Sequence, residues 1–295
     1  MQNLAFWSVW GAALFFGAIG CSSSDKPVSD LNDTPAGAGG ADANENAGAG
    51  GATAAGGAAG GGAAGDGATA AATDDAEYPI PDKLVALTFD DGPDITLTPA
   101  ILDKLQFYRV PASFFLIGQK VNADTQPVMQ RAASLGCEFE NHSYGYPSLT
   151  GLAQAEIETS VNDTSAAIEQ FTSTTPVFFR PPNLAVDALM YQLIDMPFAG
   201  GVVGGDFPAE FGGNPTVEAV TDTVLNGVVD GSIILLHDVQ PDLDPQPTPT
   251  ALDTIIPELK RQGYEFVTLR QLFQRRGIDP NGQQDAIWNV VPPAN

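Results

Sequence analysis

Cysteine is nearly absent. The 295 residues contain two, Cys21 and Cys137, which excludes the disulfide framework that small secreted domains use. Histidine is as scarce, with only His142 and His237, so any imidazole chemistry rests on that pair. Basic residues are few: 12 Lys and Arg face 36 Asp and Glu, for a formal net charge of −24. Residues 81–295 alone carry 27 acids against 11 bases. Such a surface repels phosphate backbones, which argues against nucleic acid as a partner and leaves neutral or cationic substrates.

Long apolar runs are also missing, except at the start. The first twenty residues are apolar and uncharged, and they end in Ala18-Ile19-Gly20-Cys21. A run of this length is a signal peptide or a membrane span. The small residues before the cysteine resemble the lipobox of bacterial lipoproteins, although Ala18 stands where Leu is usual and no Lys or Arg precedes the run. The resemblance implies a signal peptide over 1–21, lipidation of Cys21 and a membrane anchor. An uncleaved anchor helix is the alternative. Both readings place the remainder outside the cytoplasm, in the periplasm or at the cell surface. Cys137 then has no partner and reads as a small buried residue in a strand.

Residues 22–78 form a linker. From 36 to 72 the chain is mostly Gly and Ala with scattered polar residues and no apolar periodicity. Such a segment cannot bury enough surface to offset its ordering entropy. It reads as a disordered tether that holds a domain away from the membrane.

From Lys83 the texture changes. Strand-like apolar runs at 84–89, 112–117, 137–142, 177–179, 200–203, 232–236 and 265–269 alternate with helical spacing at 98–108, 126–135, 153–171, 217–228 and 251–261. A last helix begins at 271. Strands alternating with amphipathic helices predict an α/β fold with a parallel sheet covered by helices. About seven strands in this order suit a distorted parallel (β/α) barrel over residues 79–277. Residues 278–295 read as a C-terminal extension that wraps the barrel loosely.

Barrel chemistry collects at the C-terminal ends of the strands. Four polar groups fall there: Asp90-Asp91 after the first strand, His142 after the third, Arg180 after the fourth and His237 after the sixth. Adjacent carboxylates repel, so Asp90 and Asp91 need a cation, a metal or water to offset them. Gly92-Pro93 behind them makes a turn, and a solvated acidic turn is the bland alternative. A lone strand-end His is more often structural than a ligand. His237, emerging from a buried run and followed by Asp238, is a candidate general acid or base. Arg180 is a cation where an acidic cluster needs one, with a surface ion pair as its alternative.

Taken together, Thr88-Phe89-Asp90-Asp91-Gly92-Pro93, Asn141-His142-Ser143-Tyr144, Phe179-Arg180-Pro181-Pro182 and the run from Gly231 to Asp238 resemble the polysaccharide deacetylase family. The resemblance covers about 190 residues, and the ordered set is far more specific than any single motif. It implies hydrolysis of N- or O-acetyl groups on an acetylated glycan, with a divalent, zinc-like metal. Asp90 matches the base that activates water and Arg180 the cation that holds it. Asp91 and His142 match metal ligands. His237 matches the general acid, and Leu235 a wall of the acetyl pocket.

The sequence departs from the family pattern at three places. Tyr146 stands where a second metal-binding histidine is expected, and a phenol is a poorer ligand than imidazole. Asn183 replaces a common aromatic after Arg180-Pro181-Pro182, where a backbone N–H could serve an oxyanion. The Asp-x-x-Asp-Trp segment is not intact. Asp206 is its nearest match as the orienter of His237, with Phe207 as a pocket wall, and Glu210-Phe211 is a competing alignment. These departures leave two other expectations open: a metal-independent amide hydrolase on the same fold, or a non-catalytic glycan-binding relative.

Overall fold

A computed structural model describes residues 73–207, 214–240, 243, 246–283 and 285–293. Strand β1 (Lys83–Asp90) is the centre of the sheet. β6 (Ile233–His237) runs parallel along one side of it. β7 (Tyr264–Val267) pairs its first half and β2 (Ser113–Leu116) its second, both parallel. β3 (Glu138–Asn141) lies beyond β2, and β5 (Val202–Val203) beyond β6.

Parallel strands need crossovers, and helices supply them. α1 (Thr98–Tyr108), α2 (Gln126–Ser134), α3 (Gln154–Thr172), α4 (Ala188–Leu193), α5 (Val217–Gly227), α6 (Pro247–Arg261) and α7 (Leu269–Arg276) fill the connections. Their ends are set by local chemistry. The Thr216 and Thr268 side chains accept from the third-residue backbone N–H of α5 and α7, and Gly277 closes α7 at φ 63°.

The period of two along β1 divides the interior. Val85, Leu87 and Phe89 face the helices and pack with Ile101, Leu102 and Leu105 of α1. Ala86 joins Phe115, Phe178, Ile233 and Trp288 in a second cluster. Thr88 and Asp90 continue the face of Ala86, so the same alternation that builds the core delivers two polar groups to the other side.

The α/β architecture is that expected, with differences in the second half. Residues 177–179 form no ladder strand. Phe179 makes single parallel bridges to Asn141 and Phe198. The run at 200–203 holds only the two residues of β5; a second two-residue strand, β4 (Phe198–Ala199), precedes it across Gly200 and Gly201. The carbonyls of Ala199 and Gly200 accept from the buried Arg180 instead of from a neighbouring strand. The segment after Gly277, expected to wrap loosely, adds β8 (Ile287–Trp288), which pairs with β4. Trp288 draws it in: the ring is 6% exposed, packs edge-on to Phe273 and donates Nε1–H to the Pro280 carbonyl. Among the described residues the ladder is not continuous around the barrel, so the distorted barrel stays open.

Candidate active site

Every strand-end residue expected at the rim reaches one cavity of about 590 Å³ or its wall. Asp90 is the last residue of β1, and its register partner on β6 is His237. His142 follows β3, and its backbone N–H donates to Leu116 of β2. Arg180 follows the Phe179 bridge and is tied by its own N–H to the Asn141 carbonyl.

Arg180 is fully buried. Its Nη1 donates to Asp90 Oδ1 at 2.6 Å and Thr88 Oγ1 at 2.9 Å, and Nη2 donates to the Gly200 carbonyl at 2.6 Å. The guanidinium lies 3.9 Å from the Phe115 ring centroid. Thr88 completes the unit by donating to the Ile234 carbonyl at 2.6 Å. A buried charge is tolerated only when paired and hydrogen-bonded, and this one is. The surface-pair alternative for Arg180 is therefore excluded.

The second unit centres on His237. Asp206 Oδ1 pairs with its Nδ1 at 2.8 Å, and Asp206 Oδ2 accepts its backbone N–H at 2.8 Å. Thr248 donates to Oδ2 at 2.6 Å, and Gln240 donates to the Asp206 carbonyl. Burial disfavours the imidazolium. The Asp206 charge and hydrogen bond, with the Asp90 and Asp91 charges, outweigh it and raise His237 to about 10. The Phe207 ring stands 4.9 Å from the imidazole. Glu210 and Phe211, the competing alignment, lie outside the described residues, as do Cys21 and most of the linker. No helix among the described residues is long and apolar enough to cross a membrane.

His142 supplies the third element. Its Nδ1 is 2.7 Å from the Arg180 carbonyl, which can only accept, so Nδ1 carries the proton. In the neutral ring Nε2 is then a lone-pair atom. It faces Asp91 Oδ1 at 3.6 Å and Asp90 Oδ2 at 3.8 Å. Acceptors converging on one point are the donor set a hard or borderline cation requires. Asp90 is already held by Arg180, which leaves Asp91 and His142. Among the described residues no group of three His, Cys, Asp or Glu could hold a metal ion. Asp91 and His142 are the residues that would hold a cation here.

Tyr146 lines the same cavity and is 41% exposed. Burial, then the charges of Asp91, Asp238 and Asp94, push its phenol well above the ordinary value, so the oxygen is protonated. Lys120 sits 5.1 Å from its ring centroid and donates to the Asp91 carbonyl at 2.8 Å. Leu235, Phe207 and Leu184 form the apolar side of the cavity, and Asn183 lines it beside them at φ 58°.

Sequence reasoning missed several supports. Asp238 is fully buried, accepts from Thr98 Oγ1 at 2.5 Å and donates its backbone N–H to the Asp90 carbonyl. Burial raises its carboxyl to about 7. Thr88 was legible, since it shares a strand face with Asp90. Thr98, Lys120, Gln240 and Thr248 come from loops or helices with no local signal. A larger groove of about 830 Å³ lies near Tyr78 and Arg109, and no histidine lines it.

An anchored carboxylate and a carboxylate-paired imidazolium on adjacent strands define an acid–base site on an open α/β barrel. Comparison with known proteins gives the family. The polysaccharide deacetylase model matches residues 77–196. A bifunctional xylanase/deacetylase of Pseudobutyrivibrio xylanivorans is 42% identical over 209 residues, 71% of this chain and 33% of its own length. The chain thus spans about a third of that relative. A peptidoglycan-N-acetylglucosamine deacetylase of Bacillus cereus is 34% identical over 67% of this chain and 92% of its own. A family 4 acetyl xylan esterase from Clostridium thermocellum, solved with a cobalt ion, is 47% identical with a TM-score of 0.66. That match covers 71% of this chain and all of the esterase. The chain belongs to the polysaccharide deacetylase family.

Proposed function

We propose that this protein hydrolyses acetyl groups on a glycan. The observation that carries the reading is the pairing of Asp90 with Arg180 and of His237 with Asp206 across neighbouring strands of one cavity. Asp90 takes the proton of the attacking water at its Oδ2, because Arg180 occupies Oδ1. His237, protonated through neutral pH, gives the Nε2 proton to the departing amine or alcohol. Asp206 keeps that proton in place and fixes the ring. Leu235 and Phe207 wall the acetyl methyl and exclude water from it, and the backbone N–H at Asn183 serves the oxyanion.

Asp91 and His142 would hold a divalent metal, which we take to be zinc, with Tyr146 as the third, weaker candidate ligand. Such a metal supplies Lewis-acid polarisation of the acetyl carbonyl. The cobalt-bound relative supports a cation at this family's site. A phenol at 146 in place of a second imidazole favours one competing reading, an amide hydrolase that works without metal.

The domain sits outside the cytoplasm on a lipid anchor at Cys21, a reading supported by the apolar run ending there. The proposed substrate is an acetylated envelope or environmental polysaccharide.

The test is acetate release by the full chain from acetylated xylan, chitooligosaccharide and peptidoglycan, with metal analysis of the same sample. Release that stops with a chelator and returns with zinc supports the metal-assisted reading. Chelator-insensitive turnover selects the metal-independent one. Binding without turnover overturns both.

A further inference from the structure

We propose that Lys120 is a positioning residue that acts through Asp91: its fixed charge offsets the Asp91 carboxylate when no metal is bound, so that the domain stays folded without metal and takes a divalent cation weakly. The proposal rests on Asp91 and His142 as the cation site of the deacetylase reading, and not on turnover.

The site carries three buried carboxylates that call for opposite charge. Asp90 has Arg180 at 2.6 Å. Asp206 has the His237 ring at 2.8 Å. The third, Asp91, faces the lone pair of His142 Nε2 at 3.6 Å, and its neighbour in the chain is another acid. Lys120 is the cation that remains for it.

Lys120 closes the one-turn helix Gly118–Lys120 that follows β2. Its Nζ donates to the Asp91 carbonyl at 2.8 Å. The ammonium thus takes the main-chain oxygen and leaves the carboxylate free toward His142. Asp91 sits at φ 77°, left-handed for a residue with a Cβ, and the Lys120 bond holds its carbonyl there.

The turn that carries Lys120 is stitched to both sides of the site. Ile117 N–H donates to the Gly92 carbonyl and Gly118 N–H to the Ser143 carbonyl, each at 2.9 Å. Thr125 Oγ1 donates to the Lys120 carbonyl at 2.7 Å. The lysine is half-buried, and its ammonium lies 5.1 Å from the Tyr146 ring centroid. Asp238 and Asp94 also face the ammonium. Both have partners of their own: Asp238 accepts from Thr98 Oγ1, and Asp94 accepts from the N–H groups of Thr96 and Leu97.

A fixed cation in this place has two effects of opposite sign. It lowers the cost of burying Asp91 beside Asp90, and it repels a divalent ion held at Asp91.

The test uses the full chain, stripped of metal and titrated with zinc in a chelator competition. Lys120→Gln keeps a donor for the Asp91 carbonyl and removes the charge, whereas Lys120→Arg keeps both. Zinc affinity should rise about threefold to tenfold in Lys120→Gln and stay within about twofold of wild type in Lys120→Arg. Metal-free Lys120→Gln should melt about 3–6 °C below metal-free wild type, and saturating zinc should close most of that gap. A purely structural lysine predicts the opposite sign, a loss of zinc affinity as Asp91 drifts from His142.

Unchanged or weaker zinc binding in Lys120→Gln would overturn the proposal. So would a wild type that unfolds when stripped of metal, a measurement that needs no variant. Absence of zinc binding by wild type would overturn it together with the metal-assisted reading. The expected rise in affinity without acetate release from any glycan would keep the role of Lys120 and sink the deacetylase reading.

Discussion

Asp206 grips His237 with both carboxylate oxygens, one on Nδ1 and one on the backbone N–H, each at 2.8 Å. The ring and its strand end are thereby fixed together. The imidazolium persists because its pKa lies near 10. In Asp206→Asn the neutral amide no longer stabilises that charge. The alkaline limb of the kcat/KM profile should move down by about one pH unit or more, and kcat at pH 8 should fall about 10²-fold. Superimposable profiles for wild type and variant would remove His237 from the acid role.

The same pair predicts a stability trend. His237 has a folded pKa above its ordinary 6.5, so its contribution is full below about 6.5 and is lost as pH rises toward 10. Asp206→Asn should reduce that decline, measured by urea unfolding at pH 6, 8 and 9.5.

Arg180 and Asp90 form a buried pair, and losing one member strands the other. Arg180→Met should destabilise the domain by about 3–5 kcal/mol, because it leaves a buried carboxylate and unpaired carbonyls. Arg180→Met with Asp90→Asn should recover part of this, giving a positive coupling in a double-mutant cycle. Additive losses would mean that the two side chains stabilise the fold independently.

Asp238 titrates in the opposite sense to a surface carboxylate. Burial raises it to about 7 from 3.8, so the folded state holds a proton the unfolded chain releases. Its contribution is present below about pH 3.8 and is lost as pH rises toward 7. Asp238→Asn keeps an acceptor for Thr98 and removes the titration. The variant should lose less stability than wild type between pH 5 and 8, read by thermal unfolding.

Tyr146 separates the metal readings. Tyr146→His places an imidazole beside Asp91 and His142 and should tighten zinc by roughly an order of magnitude or more in a chelator competition. Tyr146→Phe removes only a neutral phenol and should change zinc affinity far less. Equal losses in both variants would mean that Tyr146 serves as something other than a weak ligand.

Much of the fold was legible because burial and period agree along β1, β2 and β6, where parallel strands read as near-continuous apolar runs. The second half was harder. β4, β5 and β8 are two residues long, too short for any period to register, and β8 is held by Trp288 packing on Phe273 rather than by propensity. The strand-end motifs were legible because each is contiguous. Lys120, Thr98, Thr248 and Gln240 were not, since each reaches the site from an element whose own sequence carries no chemical pattern.

Amino-acid order alone therefore settled the alternation of strands and helices, the acid excess and the positions of Asp90, Asp91, His142, Arg180 and His237 at strand ends. Those are local properties, set by side-chain period and turn chemistry. Tertiary structure decided which groups meet. Arg180 and Asp90 are far apart in the chain yet share a 2.6 Å hydrogen bond, and Asp206 rather than a nearer acid takes His237. Long-range pairing depends on how β1, β6 and the Phe179 bridge stack, and on the low-dielectric cavity they enclose. There the phenol of Tyr146 is kept neutral and the imidazole of His237 is kept charged.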